Sequence, residues 1–358
     1  MFNIKIIFVD IATDGHHLTY AKSLVSNCEN YEAIMIMPEK VEGLSCRQYE
    51  YKTRGFQKNI FYFLKWIYEI YGIVKSENPD IVHFLYGDVF YRFFGLCLGK
   101  FRRYKIIATF HLLRCGSIYN MSMKMISGKV NSCVVHSEYI KKLLVEVGIN
   151  NAVHIEYPVF NSIELEREKT REYLNLPDDA VVLGCIGGTR YDKGLDILLE
   201  ALNFVEEPFY LLIAGLEEYF KENFIKEKSK EYEAQVKCVL KFLTEEEFAN
   251  VMNSVDIVVL PYRKWFNGAS GPLGEGVALG KCIIGPNHGN LGDTITKNHL
   301  GYTFESEDAT SLASVINSAL KGSFTKDDIY NKYQQNLAVP NFIKEYKELY
   351  KTISNQEN

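Results

Sequence analysis

The stretch Asn267-Gly-Ala-Ser-Gly-Pro-Leu-Gly-Glu275 gathers small residues, a proline and a carboxylate just after an apolar run, residues 255–260, that reads as a strand. Gly268, Gly271 and Gly274 lie ahead of a helix-compatible run at 275–279. A small-residue loop feeding a helix start leaves backbone N–H groups free to face an anion, and the helix dipole favours negative charge there. Glu275 falls at the expected helix start, with a carboxylate able to accept two hydroxyl hydrogen bonds, as from a ribose. An ordinary strand–turn–helix crossover, with glycine and proline serving backbone geometry alone, would use the same residues.

A second constellation follows the apolar run 181–186, in Gly187-Gly-Thr-Arg-Tyr-Asp-Lys-Gly194. Arg190 and Lys193 stand three apart on a glycine-flanked turn. Such a pair can grip a diphosphate, Arg by a fork and Lys as a point charge, and can stabilise a departing nucleoside diphosphate. Solvated surface cations are the alternative. At the end of the first strand, Gly15 would let a backbone approach a ligand. The surrounding residues form no Gly-x-Gly-x-x-Gly fingerprint, so a nicotinamide cofactor is not indicated. His16 and His17 could cap the next helix, bind an acceptor, or sit at the surface. His111 closes the run 105–110, where a histidine can hydrogen-bond sugar hydroxyls or serve structure.

These residues need strands that end beside them. Continuous apolar, β-branched runs at 4–11, 33–37, 81–85, 105–110, 133–136 and 153–157, then at 181–186, 210–214, 236–242, 256–260, 282–285 and 302–304, alternate with helical patterns. Hydrophobicity that does not alternate marks strands buried on both faces, as in parallel sheets. The spacing predicts an α/β chain with two doubly wound Rossmann-like domains, whose sites fall outside the strands' carboxyl ends. The first covers 1–160, a polar connection 161–180, and the second 181–337, with a helix within 338–358 crossing back to the first.

Composition agrees with a soluble two-domain protein: 358 residues, 47% apolar, with no run of about 18 apolar residues to span a membrane and no leader pattern at the start. The eight cysteines include no Cys-x-x-Cys pair, and Cys133, Cys185, Cys238 and Cys282 read as reduced core residues of a cytoplasmic protein. No zinc spacing is present. Residues 1–160 hold 19 Lys and Arg against 14 Asp and Glu, the remainder 21 against 31. The first half therefore favours anionic partners. Its segment 91–105 alternates cations with aromatics, as in a helix lying on a membrane surface or a half-buried helix with a basic end. Nothing marks a nucleic-acid binder.

The second half resembles the nucleotide-sugar-binding domain of retaining glycosyltransferases of family 4, with the GT-B fold. Those enzymes carry a pattern similar to Glu-Gly-Phe-Gly-Leu-Pro-x-x-Glu, onto which Gly268, Pro272 and Glu275 fall without a gap. The following Ala278-Leu-Gly-Lys-Cys-Ile-Ile-Gly and the turn from Gly188 to Gly194 are also similar, as are Gly15 and the pair Phe110-His111. The resemblance implies that the two domains face each other across a cleft. It further implies that Glu275 holds ribose hydroxyls, that Arg190 and Lys193 hold the diphosphate, and that amides of Ala269, Ser270 and Gly271 contact phosphate and sugar. Gly15 would serve the donor from the first domain, His111 the sugar, and His16 and His17 the acceptor side. Asn267 replaces the family's first glutamate, and Leu112 stands where an Asp often follows the histidine. Asn still donates and accepts hydrogen bonds but brings no negative charge to an oxocarbenium-like state.

The expectation is a retaining, metal-independent glycosyltransferase without a cofactor. It would move a sugar, a hexose by preference, from a nucleoside-diphosphate sugar to a glycan or lipid-linked acceptor, in the cytoplasm or at the membrane's inner face. Two alternatives keep the fold: a partner subunit that binds a nucleotide sugar or glycan without turnover, and a sugar-nucleotide epimerase.

Overall fold

Burial on both faces is what the apolar runs required, and two wholly parallel sheets supply it. In a computed structural model, residues 4–13, 15–26, 31–112, 116–160, 166–266, 268, 270–322 and 324–355 are described, the side chain of His16 excepted. Asn267 and Ala269 lie outside the described residues. The chain divides into two compact units, Met1–Tyr157 with Val339–Asn358, and Pro158–Ala338.

Unit 1 runs β1 (Ile4–Val9), α1 (Gly15–Val25), β2 (Tyr31–Met37), β3 (Arg47–Glu50), α2 (Ile60–Glu77), β4 (Ile81–Phe84), β5 (Lys105–Phe110), α3 (Ser117–Ser127), β6 (Ser132–Val135), α4 (Glu138–Glu146) and β7 (Ala152–His154). Its seven strands order as β3-β2-β1-β4-β5-β6-β7, each pair parallel, so the order reverses beside β1. Loops at that reversal open a crevice at the strands' carboxyl ends. Unit 2 runs α5 (Arg167–Tyr173), β8 (Val182–Ile186), α6 (Leu195–Ala201), β9 (Tyr210–Ala214), α7 (Glu222–Lys228), β10 (Val236–Val239), α8 (Glu245–Ser254), β11 (Ile257–Val259), α9 (Gly271–Ala278), β12 (Cys282–Pro286), α10 (Gly289–Lys297), β13 (Gly301–Phe304), α11 (Ala309–Lys321) and α12 (Asp328–Asn336). Its sheet orders β10-β9-β8-β11-β12-β13, again all parallel, and β8 sits at the reversal. The last helix, α13 (Val339–Ser354), belongs to unit 1.

Each unit has apolar layers on its sheet. In unit 1, Ile7, Val9, Ile34, Val82, Phe84, Ile106 and Ala108 pack under Phe63, Trp66, Ile67 and Ile70 of α2 and Met123 and Ile126 of α3. On the other face α13 is fixed by a buried polar chain. His83 Nδ1 meets Tyr350 Oη at 2.9 Å, His83 Nε2 meets Thr109 Oγ1 at 2.8 Å, and Thr109 Oγ1 meets Tyr346 Oη at 3.0 Å. Tyr346 in turn bonds Tyr20 Oη of α1. Buried polar groups so paired specify one docking register for the helix.

Four expectations are corrected. The polar strand β3 has no apolar run to betray it, because it is an edge strand paired only with β2. The run 236–242 shortens to β10, also an edge strand, and Cys238 on it is exposed rather than in the core. Segment 91–105 is no single helix. Short 3₁₀ turns at Gly87–Phe93 and Leu98–Phe101 are separated by left-handed Phe94, Gly95 and Cys97, and Tyr91, Leu98, Phe101 and Tyr104 are in the core. Three of its five rings, Tyr91, Phe101 and Tyr104, are thus spent in the core. The fourth is the start of α9: the helix begins at Gly271, not at Glu275. Ser270 caps it by accepting from Leu273 N, and Pro272 sits in the first turn, where its fixed φ suits a helix.

Candidate active site

In unit 2 the turn after β8 is built by its glycines. Gly187 adopts φ +126° and donates its N–H to Ala214 O at 2.7 Å. Gly194, at φ +64°, presses so closely on the end of β11 that a Cβ would lie 2.0 Å from Pro261 O. No side chain fits there, which holds residues 190–193 beside the segment following β11. Thr189, buried between them, donates to Phe220 O and accepts Glu218 N, both at 2.8 Å, tying the turn to the loop after β9.

Lys193 is the group this turn delivers. Its ammonium donates to Tyr262 Oη and lies 4.2 Å from that ring's centroid. Tyr262 is buried, and Ser270 Oγ, the cap of α9, lies 3.5 Å from its hydroxyl. A Cβ built on Gly187 would stand 3.7 Å from Lys193 Nζ and 3.8 Å from Pro272 Cγ. Lys193, Gly187, Tyr262, Ser270 and the first turn of α9 therefore share one locus. A cation beside a capped helix N-terminus makes that locus attractive to an anion. Gly268 is tied in by Asn290 Nδ2, which donates to its carbonyl at 3.4 Å. Gly271, Gly274 and Glu275 follow on the flank of α9 opposite buried Gly276 and Val277, and Glu275 is half-buried.

Arg190 behaves differently. Its guanidinium folds back on Asp192, Nε to Oδ1 at 2.9 Å and an Nη to Oδ2 at 2.7 Å. Burial pushes the Asp192 carboxyl up, but the Arg190 fork outweighs it and holds the group below its usual value. Any anion approaching this turn would have to compete with Asp192 for this cation. Arg263, paired with Asp196, braces the turn with its guanidinium 4.0 Å over the Tyr191 ring.

In unit 1, Gly15 opens α1 at φ +51° and His17 lies in that helix's first turn. His17 Nδ1 meets Asp10 Oδ1 at 2.7 Å, and Asp10, buried at the end of β1, also accepts Ile11 N. The His17 ring lies 4.9 Å from Tyr86, which stacks on His111 at 5.3 Å and 17°. His111 Nε2 donates to Leu85 O at 2.9 Å, so in the neutral ring Nδ1 carries the lone pair. Asp88 accepts the backbone N–H groups of His111 and Leu112, at 2.9 and 3.0 Å. Two histidines read from the sequence are thus brought together at the carboxyl ends of β1 and β5. The sequence reading missed Asp10, Tyr86, Asp88 and Tyr262. Of these only Asp10 carried a signal, an acid closing an otherwise apolar strand.

Residues 166–337 match the family model for glycosyl transferases group 1. Unit 2 is a domain of that family, and the protein is a glycosyltransferase of GT-B fold. Among solved structures, a glycosyltransferase from Rickettsia africae is similar over 99% of this chain and 100% of its own, at TM-score 0.76 and 21% identity. Sucrose-phosphate synthase from Thermosynechococcus elongatus is similar over 98% and 99%, at TM-score 0.73 and 16% identity. Anabaena Alr3699/HepE in complex with UDP is similar over 98% and 100%, at TM-score 0.74 and 14% identity. No curated protein matches the chain.

Proposed function

We propose that this protein is a retaining glycosyltransferase that takes a sugar from a nucleoside-diphosphate sugar and places it on a hydroxyl of a glycan or lipid-linked acceptor. The observation that carries the reading is the meeting of Lys193 and the glycine turn with the Ser270-capped start of α9. On this reading Lys193, the amides of Ala269, Ser270 and Gly271, and Arg190 once released from Asp192 take the diphosphate, with neither a metal ion nor a cofactor. As the bond from the anomeric carbon to phosphate oxygen breaks, these groups meet the negative charge that grows on the leaving diphosphate. That oxygen takes the acceptor's proton while the acceptor oxygen bonds the same sugar face. Glu275 holds the ribose, Asn267 addresses the sugar, and Gly15, His16, His17 and His111 serve donor and acceptor from unit 1. Complexes of the Anabaena protein with UDP and UDP-glucose make a uridine diphosphate hexose the first donor to test.

Asn267, in place of a glutamate, motivates a second reading, a nucleotide-sugar-binding subunit without turnover. Calorimetric titration with UDP, GDP and ADP sugars, followed by assays of donor hydrolysis and transfer, separates the two. Binding with turnover supports the first, binding without any turnover the second, and no binding removes both. Glu275→Ala should weaken donor binding by about 1.5–3 kcal/mol through a lost charged acceptor. It should perturb folding far less than it weakens donor binding, because Glu275 is not among the buried residues of α9. Unchanged affinity would remove Glu275 from the site.

A further inference from the structure

We infer that unit 1 docks on the surface of an anionic phospholipid bilayer, through a face formed by the first turn of α2, the turns at 87–101 and the outer stripe of α3. This goes beyond the donor site and does not depend on it. Nor is it the segment 91–105 acting as one surface helix, since three of its five rings are in the core.

The face begins with apolar side chains that have no place in the core. Phe61 is 78% exposed and Ile118 66%, and Ile60, Tyr62, Leu96, Met121 and Met125 are exposed with them. On α3, Ile118, Met121 and Met125 recur at i, i+3 and i+7, directly beside buried Ser122 and Ile126. The apolar arc of this helix is thus wider than the core covers. The three elements adjoin. Ser122 Oγ donates to Tyr91 O at 2.7 Å, the Cβ direction of Gly95 meets Ile126 at 3.0 Å, and Phe93 lies 4.5 Å from Phe63 of α2. Both α2 and α3 run back along the sheet from the strands' carboxyl ends, so their first turns lie at the end that carries His17 and His111.

Charge selects the occupant. Residues 52–137 hold 13 Lys and Arg against 4 Asp and Glu. Between 81 and 137 the sole acid is Asp88, whose carboxylate is engaged by the His111 and Leu112 N–H groups. Lys58, Lys65, Arg92 and Lys124, on or next to the elements of this face, are exposed with the apolar residues. Basic residues are drawn to an anionic leaflet, and aliphatic side chains inserted among the acyl chains add to that attraction. A nucleic acid would use the cations but gives Ile118, Met121, Met125 and Leu96 nothing to bury against. Helix α3 is too short to span a bilayer and is rooted by Met123 and Ile126, so the contact lies in the interface. Among the described residues no helix is long and apolar enough to cross a membrane.

The test is co-sedimentation of the full chain with phosphatidylcholine vesicles, with and without phosphatidylglycerol, at low and high salt. Wild type should partition onto the phosphatidylglycerol vesicles, stay in solution with phosphatidylcholine alone, and be released by salt. The surface variants Ile118→Ser/Met121→Ser and, separately, Arg92→Glu/Lys124→Glu should each lose partitioning by about tenfold or more. All four side chains are exposed, and circular dichroism confirms that the variants are folded. Wild type that stays in solution with every vesicle, or variants that bind as wild type does, would overturn the proposal. So would salt-sensitive binding to RNA without binding to vesicles.

Discussion

Replacing Arg171 by alanine is expected to lower the stability of unit 2 by at least about 1.5–3 kcal/mol, through the lost charged hydrogen bonds of a buried guanidinium. Arg171 is almost wholly buried. Its Nε donates to Ser254 O at 2.9 Å, and one Nη donates to Pro177, Asp178 and Ala180 carbonyls at 2.8–3.1 Å. The other Nη pairs with Asp256 Oδ2 at 2.7 Å. That same carboxylate accepts Val182 N at the start of β8 and pairs with Arg167. One guanidinium thus pins α5 and the chain after it to the base of β8 and β11. Alanine leaves the buried Ser254 carbonyl without this donor and releases the carbonyls of Pro177, Asp178 and Ala180 from the turn they close. Lysine should recover only part of the loss, since a single ammonium cannot span the fork. Thermal unfolding followed by circular dichroism measures this, and a loss below about 1 kcal/mol would contradict the clamp.

The second large effect is acid destabilisation of unit 1. Burial, with a smaller contribution from His111, pushes His83 down to about 3. Burial likewise holds His136 well below its usual value, with His111 adding to it. Both rings are therefore neutral in the folded state, while the unfolded chain binds protons on them below about pH 6.5. The unfolded state then holds more protons than the native one, so unfolding free energy rises with pH. The stability is fully present above about pH 6.5 and is lost as pH falls toward the folded-state values, by up to about 1.4 kcal/mol per pH unit for each ring. Denaturant midpoints should fall from about pH 7 to about pH 5, and His83→Gln should flatten the slope, because Gln does not titrate. Trp66, buried in unit 1, reports the transition by fluorescence. A wild-type slope no steeper than that of His83→Gln would contradict neutral burial.

How much of this was legible in the sequence differs from element to element. Strands such as β1, β5 and β8 announced themselves because a parallel strand buried on both faces is apolar throughout. The polar edge strand β3 could not do so, since its partner on one side is water. The cation turn was readable from Gly187 to Gly194, whose spacing forces a tight bend after a strand. That Lys193 rests on Tyr262 was not, because 69 residues separate them and only the sheet order joins them. The opposite error fell on segment 91–105, where alternating rings and cations read as one helix, on a membrane surface or half-buried with a basic end. The left-handed residues at 94, 95 and 97 break it, and burial takes three of the rings.

The central claim is that Lys193 and the start of α9 form one diphosphate site, and calorimetric titration of UDP-glucose into wild type and Lys193→Ala tests it most directly. The account predicts measurable binding to wild type and a loss of about 1.5–3 kcal/mol in the variant, roughly 10- to 150-fold in affinity, with folding intact. Equal affinity in both proteins would contradict it.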